Sequence, residues 1–307
     1  MVAGRVDGVL RSFQRRFIGH RALFASKQHE LLMPSILQRP GSCDTKQPFL
    51  KWLGGKRELV NREIRPLYDQ VKPIGRLVEP FCGSAAVALG LGVEHALLAD
   101  ANPHLINLFH AIQDGKLLRA PYGNDAEQYY EARDAFNRLI EKGIKTVAQQ
   151  RKAASLFYYL NRHCFNGLIR FNNKGKFNAA FGRYKTVWYE NLSSYQDVLH
   201  AWDFKNQGYM DTLADVRPSD FVYVDPPYDK TFTQYSKGGF TWDEQIQLAE
   251  RCAELNCPVV VSNSGTDRIQ SLYKDLGFQI KTVSVPRRIS CDGNRNAALE
   301  IIAIKGF

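Results

Sequence analysis

The feature that most narrows the fold of this 307-residue chain is a set of short, continuous apolar runs alternating with helical patterns. "GRLVEPF", "HALLAD", "DFVYVDPPY" and "CPVVVSNS" read as strands, each stopped by proline, glycine or a polar residue. Between them, "SAAVALGLG", "AEQYYEARDAFNRLIEKG", "RKAASLFYYLNRH", "TWDEQIQLAERCAEL" and "TDRIQSLYKDLG" carry apolar residues at helical spacing. Thr241 followed by Glu244 predicts a capping box at the start of the fourth helix, and Lys142-Gly143 a stop for the second. "FQIKTVSV" and "ALEIIAIKG" add late strands. Val-rich runs without alternation belong to strands buried on both faces, so the pattern predicts an α/β fold with a mostly parallel sheet covered by helices.

Such sheets bind ligands beyond the carboxyl ends of their strands, and there the chemistry concentrates. "EPFCGSA" forms a tight strand-to-helix turn in which Phe81, Gly83 and Ser84 let a ligand approach the backbone. Asp100 ends the next strand, 17 residues after Gly83, a spacing at which an acid commonly binds ribose hydroxyls. An ordinary tight turn and a capping acid ahead of Asn102-Pro103 would look the same. "DPPY", Asp225 to Tyr228, is more specific. Pro226 and Pro227 fix the backbone and remove two N–H donors, so carbonyls and the Asp225 carboxylate converge as acceptors beside the flat face of Tyr228. A ring-bound exocyclic amine, whose lone pair is delocalised, needs such acceptors to become nucleophilic. A simple strand terminator is the plain alternative. "FLKWLGGKREL" places Trp52 and Lys56 where they can close over a cofactor; GxxxxGK[ST] is absent, which argues against a phosphate loop.

Charge adds a partner. The chain carries a net charge of +10, and residues 142–189, 48 in a row, contain no Asp or Glu, where 31 acids in 307 residues would place about five. The same window holds ten Lys and Arg, with aromatics and Asn threaded through "LNRHCFNGLIRFNNKGKFNAAFGRYK". A polyanion fits this surface; a merely basic protein would share the net charge. Phe157, Tyr158 and Tyr159 read as core packing. The six cysteines (Cys43, Cys82, Cys164, Cys252, Cys257, Cys291) lack CxxC or paired-His spacing, so no metal site is expected, and without a secretory signal they read as free thiols in a reducing compartment. No apolar run is long enough to span a membrane. Residues 1–46 are Arg-rich and acid-poor, consistent with a flexible appendage, a transit peptide or a basic arm touching DNA.

Taken in order, "FLKWLGGK", "EPFCGSA" with "LLADAN", and "VYVDPPY", with the basic insertion and the terminal "VPRRIS", resemble the Dam-type DNA adenine-N6 methyltransferases of the D12 class across residues 48–305. The resemblance implies a Rossmann-like, S-adenosylmethionine-dependent methyltransferase core over 47–115 and 205–307. It also implies an inserted, mostly helical and loop-rich DNA-recognition domain over 116–204. It further implies that Trp52, Lys56, Phe81, Gly83, Asp100 and Asp225 serve the cofactor, and that Asp225, Pro226, Pro227 and Tyr228 serve catalysis. Lys51, Asn166, Leu168, Arg170 and Arg183 match positions that touch double-stranded DNA, with GATC the implied target and the adenine flipped from the helix. No metal is implied, and a monomer acting on DNA in the cytoplasm is expected. A catalytically inactive DNA-binding relative and a nucleotide-cofactor oxidoreductase are the rival readings; the latter lacks GxGxxG. Two departures stand out: Ala85 replaces the usual last glycine of the turn motif, and Ala180 stands where many relatives have Pro, which bears on discrimination of an inner base pair.

Overall fold

A computed structural model describes residues 45–228, 240–285 and 298–307. Most of the basic N-terminal stretch and the "PRRIS" residues lie outside the described residues. Helix α1 (Arg57–Leu59) runs through a π-helical turn (Val60–Ile64) into α2 (Arg65–Val71). Strand β1 (Leu77–Glu79), helix α3 (Ala86–Leu91), strand β2 (Ala96–Ala99) and helix α4 (Pro103–Gln113) follow. Then come α5 (Ala126–Lys142), α6 (Val147–His163), a 3-10 turn (Phe165–Gly167) and α7 (Ser193–His200). The chain continues with β3 (Trp202–Lys205), α8 (Tyr209–Ala214), β4 (Phe221–Val224), α9 (Trp242–Ala253), β5 (Val259–Ser264), α10 (Asp267–Asp275), β6 (Gln279–Val285) and β7 (Ala298–Lys305).

Local chemistry sets the helix boundaries. The Asn102 side chain accepts from His104 N at 3.0 Å and Leu105 N at 3.3 Å, with Pro103 as the first helical residue. Thr241 and Glu244 exchange the expected reciprocal bonds, 3.2 and 2.6 Å, and Thr146 with Gln149 forms a second capping box. Helix α5 ends at Gly143 in a positive-φ conformation (φ +76°), as the sequence predicts.

The seven strands lie in the order β3-β2-β1-β4-β5-β7-β6, with β1 to β5 parallel and β7 antiparallel to both its neighbours. Side chains alternate between two apolar layers. Leu77, Leu98, Phe221 and Tyr223 face one, which also takes the buried residues of α4 to α7; Val78, Leu97, Val222 and Val224 face the other, against α8, α9 and α10. This is the doubly wound arrangement of Rossmann type, and its strand order reverses between β1 and β4, where such sheets open a crevice.

The long connection from β2 to β3 packs on the first layer. Phe136 of α5 and Phe157, Tyr158 and Tyr159 of α6 are buried in it; each ring contributes about 1.5–3 kcal/mol by leaving water. Beyond α6 the acid-free segment is pinned rather than loose. A bridge joins Cys164 to Phe181, and Phe165 N donates to Ala180 O at 2.8 Å. A hairpin joins Phe171 to Phe177 around Gly175, and Asn137 of α5 grips the Phe177 main chain at both its N–H (2.8 Å) and carbonyl (3.0 Å). The sequence reading names neither the edge strand β3 nor the helices α1, α2, α4, α7 and α8. Strand β3 has four residues, and its alternately buried Trp202 and Phe204 break the continuous apolar pattern of the central strands.

Candidate active site

The crevice between the ends of β1 and β4 collects most of the residues singled out at strand ends. Strand β1 leads into the turn where Gly83 (φ +47°) and Ala85 (φ +54°) both adopt left-handed backbone. A Cβ added at Gly83 would lie 2.7 Å from Trp52 Nε1, so only glycine admits the indole. The neighbouring Asp100 carboxylate accepts from Gly83 N at 3.2 Å and Asn102 N at 2.9 Å. Burial pushes that carboxyl above its ordinary range, and the two N–H donors pull it back. Trp52, Gly83 and Asp100 therefore form one wall. Phe81 belongs to an aromatic trio, stacked on Tyr209 at 5.5 Å and edge-on to Phe240 at 5.8 Å.

The opposite wall is the end of β4. Lys56 Nζ, almost fully buried, lies 2.9 Å from Asp225 Oδ1, donates to Gly54 O at 2.7 Å and sits 4.8 Å from the Tyr228 ring centroid. Ser262 of β5 donates to the same Asp225 oxygen at 2.8 Å and pairs with the Tyr223 hydroxyl at 2.8 Å. The Pro227 carbonyl accepts Gln245 Nε2 at 2.8 Å, and Gln245 is held in turn by Asn263 at 3.0 Å. The Tyr228 hydroxyl donates to Glu300 Oε2 at 2.8 Å. Beneath both walls, Glu79 of β1 accepts the Ala88 N–H at 2.9 Å. Burial drives its carboxyl up to about 8; the Ala88 N–H opposes the rise and the nearby Asp225 adds to it. The result is a carboxylate fixed by an ammonium and a hydroxyl beside an aromatic face, with a backbone-lined cradle adjoining.

That cradle fits an adenosine-type cofactor. A glycine where a side chain would strike Trp52, an acid at the tip of β2 and the Phe81, Tyr209 and Phe240 rings could offer such a group close approach, a hydroxyl acceptor and a face for a base. Among the described residues no group of three or more His, Cys, Asp or Glu could hold a metal ion, and no helix is long and apolar enough to cross a membrane. The sequence reading missed Ser262, Gln245, Glu300, Tyr209 and Phe240. For Ser262 and Glu300 the available signal was a polar residue near the end of an otherwise apolar strand, in "VVVSNS" and "ALEIIAIKG".

The residues assigned to DNA lie along the acid-free segment. Lys51 joins it directly: Asn161 binds both its main-chain N–H (3.1 Å) and carbonyl (2.7 Å), and its Nζ donates to Arg162 O at 3.0 Å, 3.6 Å from the Tyr184 ring centroid. Burial and the Arg162 charge lower its ammonium from the ordinary range. Asn166 (φ +53°) donates its N–H to the Tyr184 hydroxyl at 2.8 Å, so Lys51 and Asn166 meet on one ring. Leu168 is half-buried behind the 3-10 turn. The exposed Arg170 is held on the hairpin by Asn178 Oδ1 at 2.9 Å, and the exposed Arg183 adopts left-handed backbone (φ +53°) beside Tyr184.

Comparison with known proteins gives the chain's family. The family described as D12 class N6 adenine-specific DNA methyltransferase matches residues 52–289. The Retron Ec67 DNA adenine methylase of Escherichia coli is 36% identical over 272 residues, spanning 84% of this chain and 91% of that protein. The DNA adenine methylase of Vibrio cholerae is 34% identical over 279 residues (84% and 96%), and that of Escherichia coli strain K12 is 35% identical over 279 residues (83% and 94%). The chain belongs to the D12 class of N6 adenine-specific DNA methyltransferases, enzymes that depend on S-adenosylmethionine.

Proposed function

We propose that this chain methylates N6 of an adenine rotated out of double-stranded DNA, within GATC sites, acting as a monomer on cytoplasmic DNA. The observation that carries the reading is the Asp225 carboxylate, held at one oxygen by Lys56 and Ser262, beside the Tyr228 ring. Both contacts engage Oδ1, so among the described residues Oδ2 is the oxygen that accepts from the amine. The Pro226 carbonyl, preceding a residue that lacks an N–H, accepts the second amino hydrogen. With both hydrogens so held, the nitrogen lone pair turns from the ring toward the methyl donor. Tyr228 supplies the face on which the base stacks.

The cofactor, when bound, supplies a methyl group on a sulfonium, an already activated leaving group. Trp52, Gly83 and Asp100 hold it on one side, with Phe81, Tyr209 and Phe240 as the aromatic patch. Positioning and preorganised acceptors then supply the rate. A stacked adenine cannot reach this crevice, and flipping it costs a few kcal/mol. The exposed side chains of residues 142–189 face the DNA; the segment itself contributes no carboxylate to repel phosphates, and the neighbouring Glu141 of α5 is neutralised by Lys176. Lys51 and Asn166 support the backbone and the vacated space. Arg170 and Arg183 pair with guanine O6 and N7, and Leu168 lies beside them. GATC is what the resemblance of these positions to the family's DNA-contacting residues implies, and relatives named DNA adenine methylase support adenine as the target base. Labelled S-adenosylmethionine incubated with the protein and a GATC duplex tests the reading. Label in N6-methyladenine that depends on GATC is expected; label on cytosine contradicts the reading, and no label contradicts it in favour of an inactive DNA-binding relative.

A further inference from the structure

Glu300 is the only charged residue in "ALEIIAI", the first seven residues of β7, and it is almost fully buried. A carboxylate in such a strand is costly unless hydrogen-bonded, so its position calls for a partner. Topology explains the partner. Strand β7 runs antiparallel to its neighbours, so its beginning lies at the carboxyl edge of the parallel strands, and Glu300 is in register with Ser264, the last residue of β5. That edge is where Asp225 and Tyr228 emerge. Glu300 Oε2 accepts the Tyr228 hydroxyl at 2.8 Å. Burial, then Asp225, then Glu300 hold the Tyr228 phenol well above its ordinary range, so it stays protonated and donates. The near end of the ring is fixed too, since Gln245 anchors the Pro227 carbonyl.

We propose that Glu300 is a positioning residue for methyl transfer: its carboxylate holds the Tyr228 ring in the orientation on which the target base stacks. The proposal rests on the function proposed above. Without Glu300 the ring keeps its area but loses the hydrogen bond that sets its hydroxyl end, so a base stacked on it is presented less uniformly.

The test uses the full chain and its Glu300→Leu, Glu300→Gln, Tyr228→Phe and doubly substituted Tyr228→Phe/Glu300→Leu forms. Steady-state methyl transfer to a GATC duplex gives kcat and KM, and S-adenosylmethionine affinity is measured separately. Glu300→Leu and Tyr228→Phe are each expected to lower kcat/KM for duplex about tenfold or more, the range for losing a hydrogen bond to a charged group. Cofactor affinity should stay within about twofold, and Glu300→Gln, whose amide oxygen still accepts, should recover most of the loss. The double variant should be no worse than the poorer single one. Losses that multiply in the double variant, or a parallel loss of cofactor binding, would overturn the positioning role. If Glu300→Leu fails to fold, Tyr228→Phe decides alone, and unchanged kinetics there overturn it as well. A wild-type enzyme that transfers nothing to adenine sinks the underlying reading and this inference together. An active wild type with an unaffected Glu300→Leu form sinks only the inference.

Discussion

Lys56 Nζ lies 2.9 Å from Asp225 Oδ1, joining the first sequence motif to the last across 169 residues of chain. Lys56 is almost fully buried and Asp225 largely so, which makes the pair costly to break from one side. Lys56→Met is expected to lower stability by about 1–3 kcal/mol, less than a fully buried pair would lose because Asp225 retains some solvent contact. Because the carboxylate also loses its orientation, methyl transfer should fall more than about tenfold. Thermal unfolding and single-turnover methylation measure the two effects, and an unchanged rate would remove Lys56 from the site.

Gly83 and Ala85 make a matched pair of turn positions. Both are left-handed, but a Cβ at Gly83 would meet Trp52 Nε1 at 2.7 Å. Gly83→Ala should cost about 1–2 kcal/mol and weaken S-adenosylmethionine binding about tenfold or more by displacing the indole. Ala85→Gly should leave stability nearly unchanged, because relief of about 1 kcal/mol of strain offsets about 0.8 kcal/mol of lost methyl burial. Calorimetric titration separates the two: equal cofactor affinities for both variants would contradict the cradle.

Glu79 predicts a pH dependence of stability. Its folded carboxyl is raised from 4.5 to about 8, chiefly by burial, so the native state binds the proton more tightly than the unfolded chain. Stability attributable to this group is therefore greatest below the unfolded value of 4.5 and declines as pH rises to about 8. Glu79→Gln keeps an acceptor for the Ala88 N–H while removing the titration. Melting curves of the two proteins should converge near pH 4.5 and separate toward pH 8, with the variant the more stable at the higher value. A constant difference across that window would refute the assignment.

Arg170 is oriented by Asn178 and exposed on the hairpin. A bidentate contact to a base pair contributes about 1–3 kcal/mol of discrimination. Arg170→Ala should therefore narrow the ratio of methylation between GATC duplexes and duplexes altered at one base pair. Competition assays with both duplexes read this directly, and equal losses on the two would mean that Arg170 touches only phosphates.

The central strands, the Thr241–Glu244 cap and the Gly143 stop were legible because each follows from local rules: continuous apolar runs, reciprocal side-chain bonds, a positive φ. The tight turns and "DPPY" were legible as strand-end chemistry, and the structure brings Trp52, Gly83 and Asp100 together, and Lys56 to Asp225 and Tyr228. Ser262, Gln245 and Glu300 were not, since each acts across the sheet on a residue 18 to 72 positions away. Only the strand order, with antiparallel β7 set beside β5, brings Glu300 to that edge. Strand β3 escaped because a four-residue edge strand buries only alternate residues and resembles loop sequence.

The most direct test of the account is to express the wild-type chain and its Asp225→Asn form in a host lacking DNA methylation and to map N6-methyladenine across the genome. The wild type should modify adenines in GATC and the Asp225→Asn form almost none, because an amide N–H then faces the amine where an acceptor is required. Adenine methylation retained by Asp225→Asn, or a wild type that leaves every adenine unmodified, would contradict it.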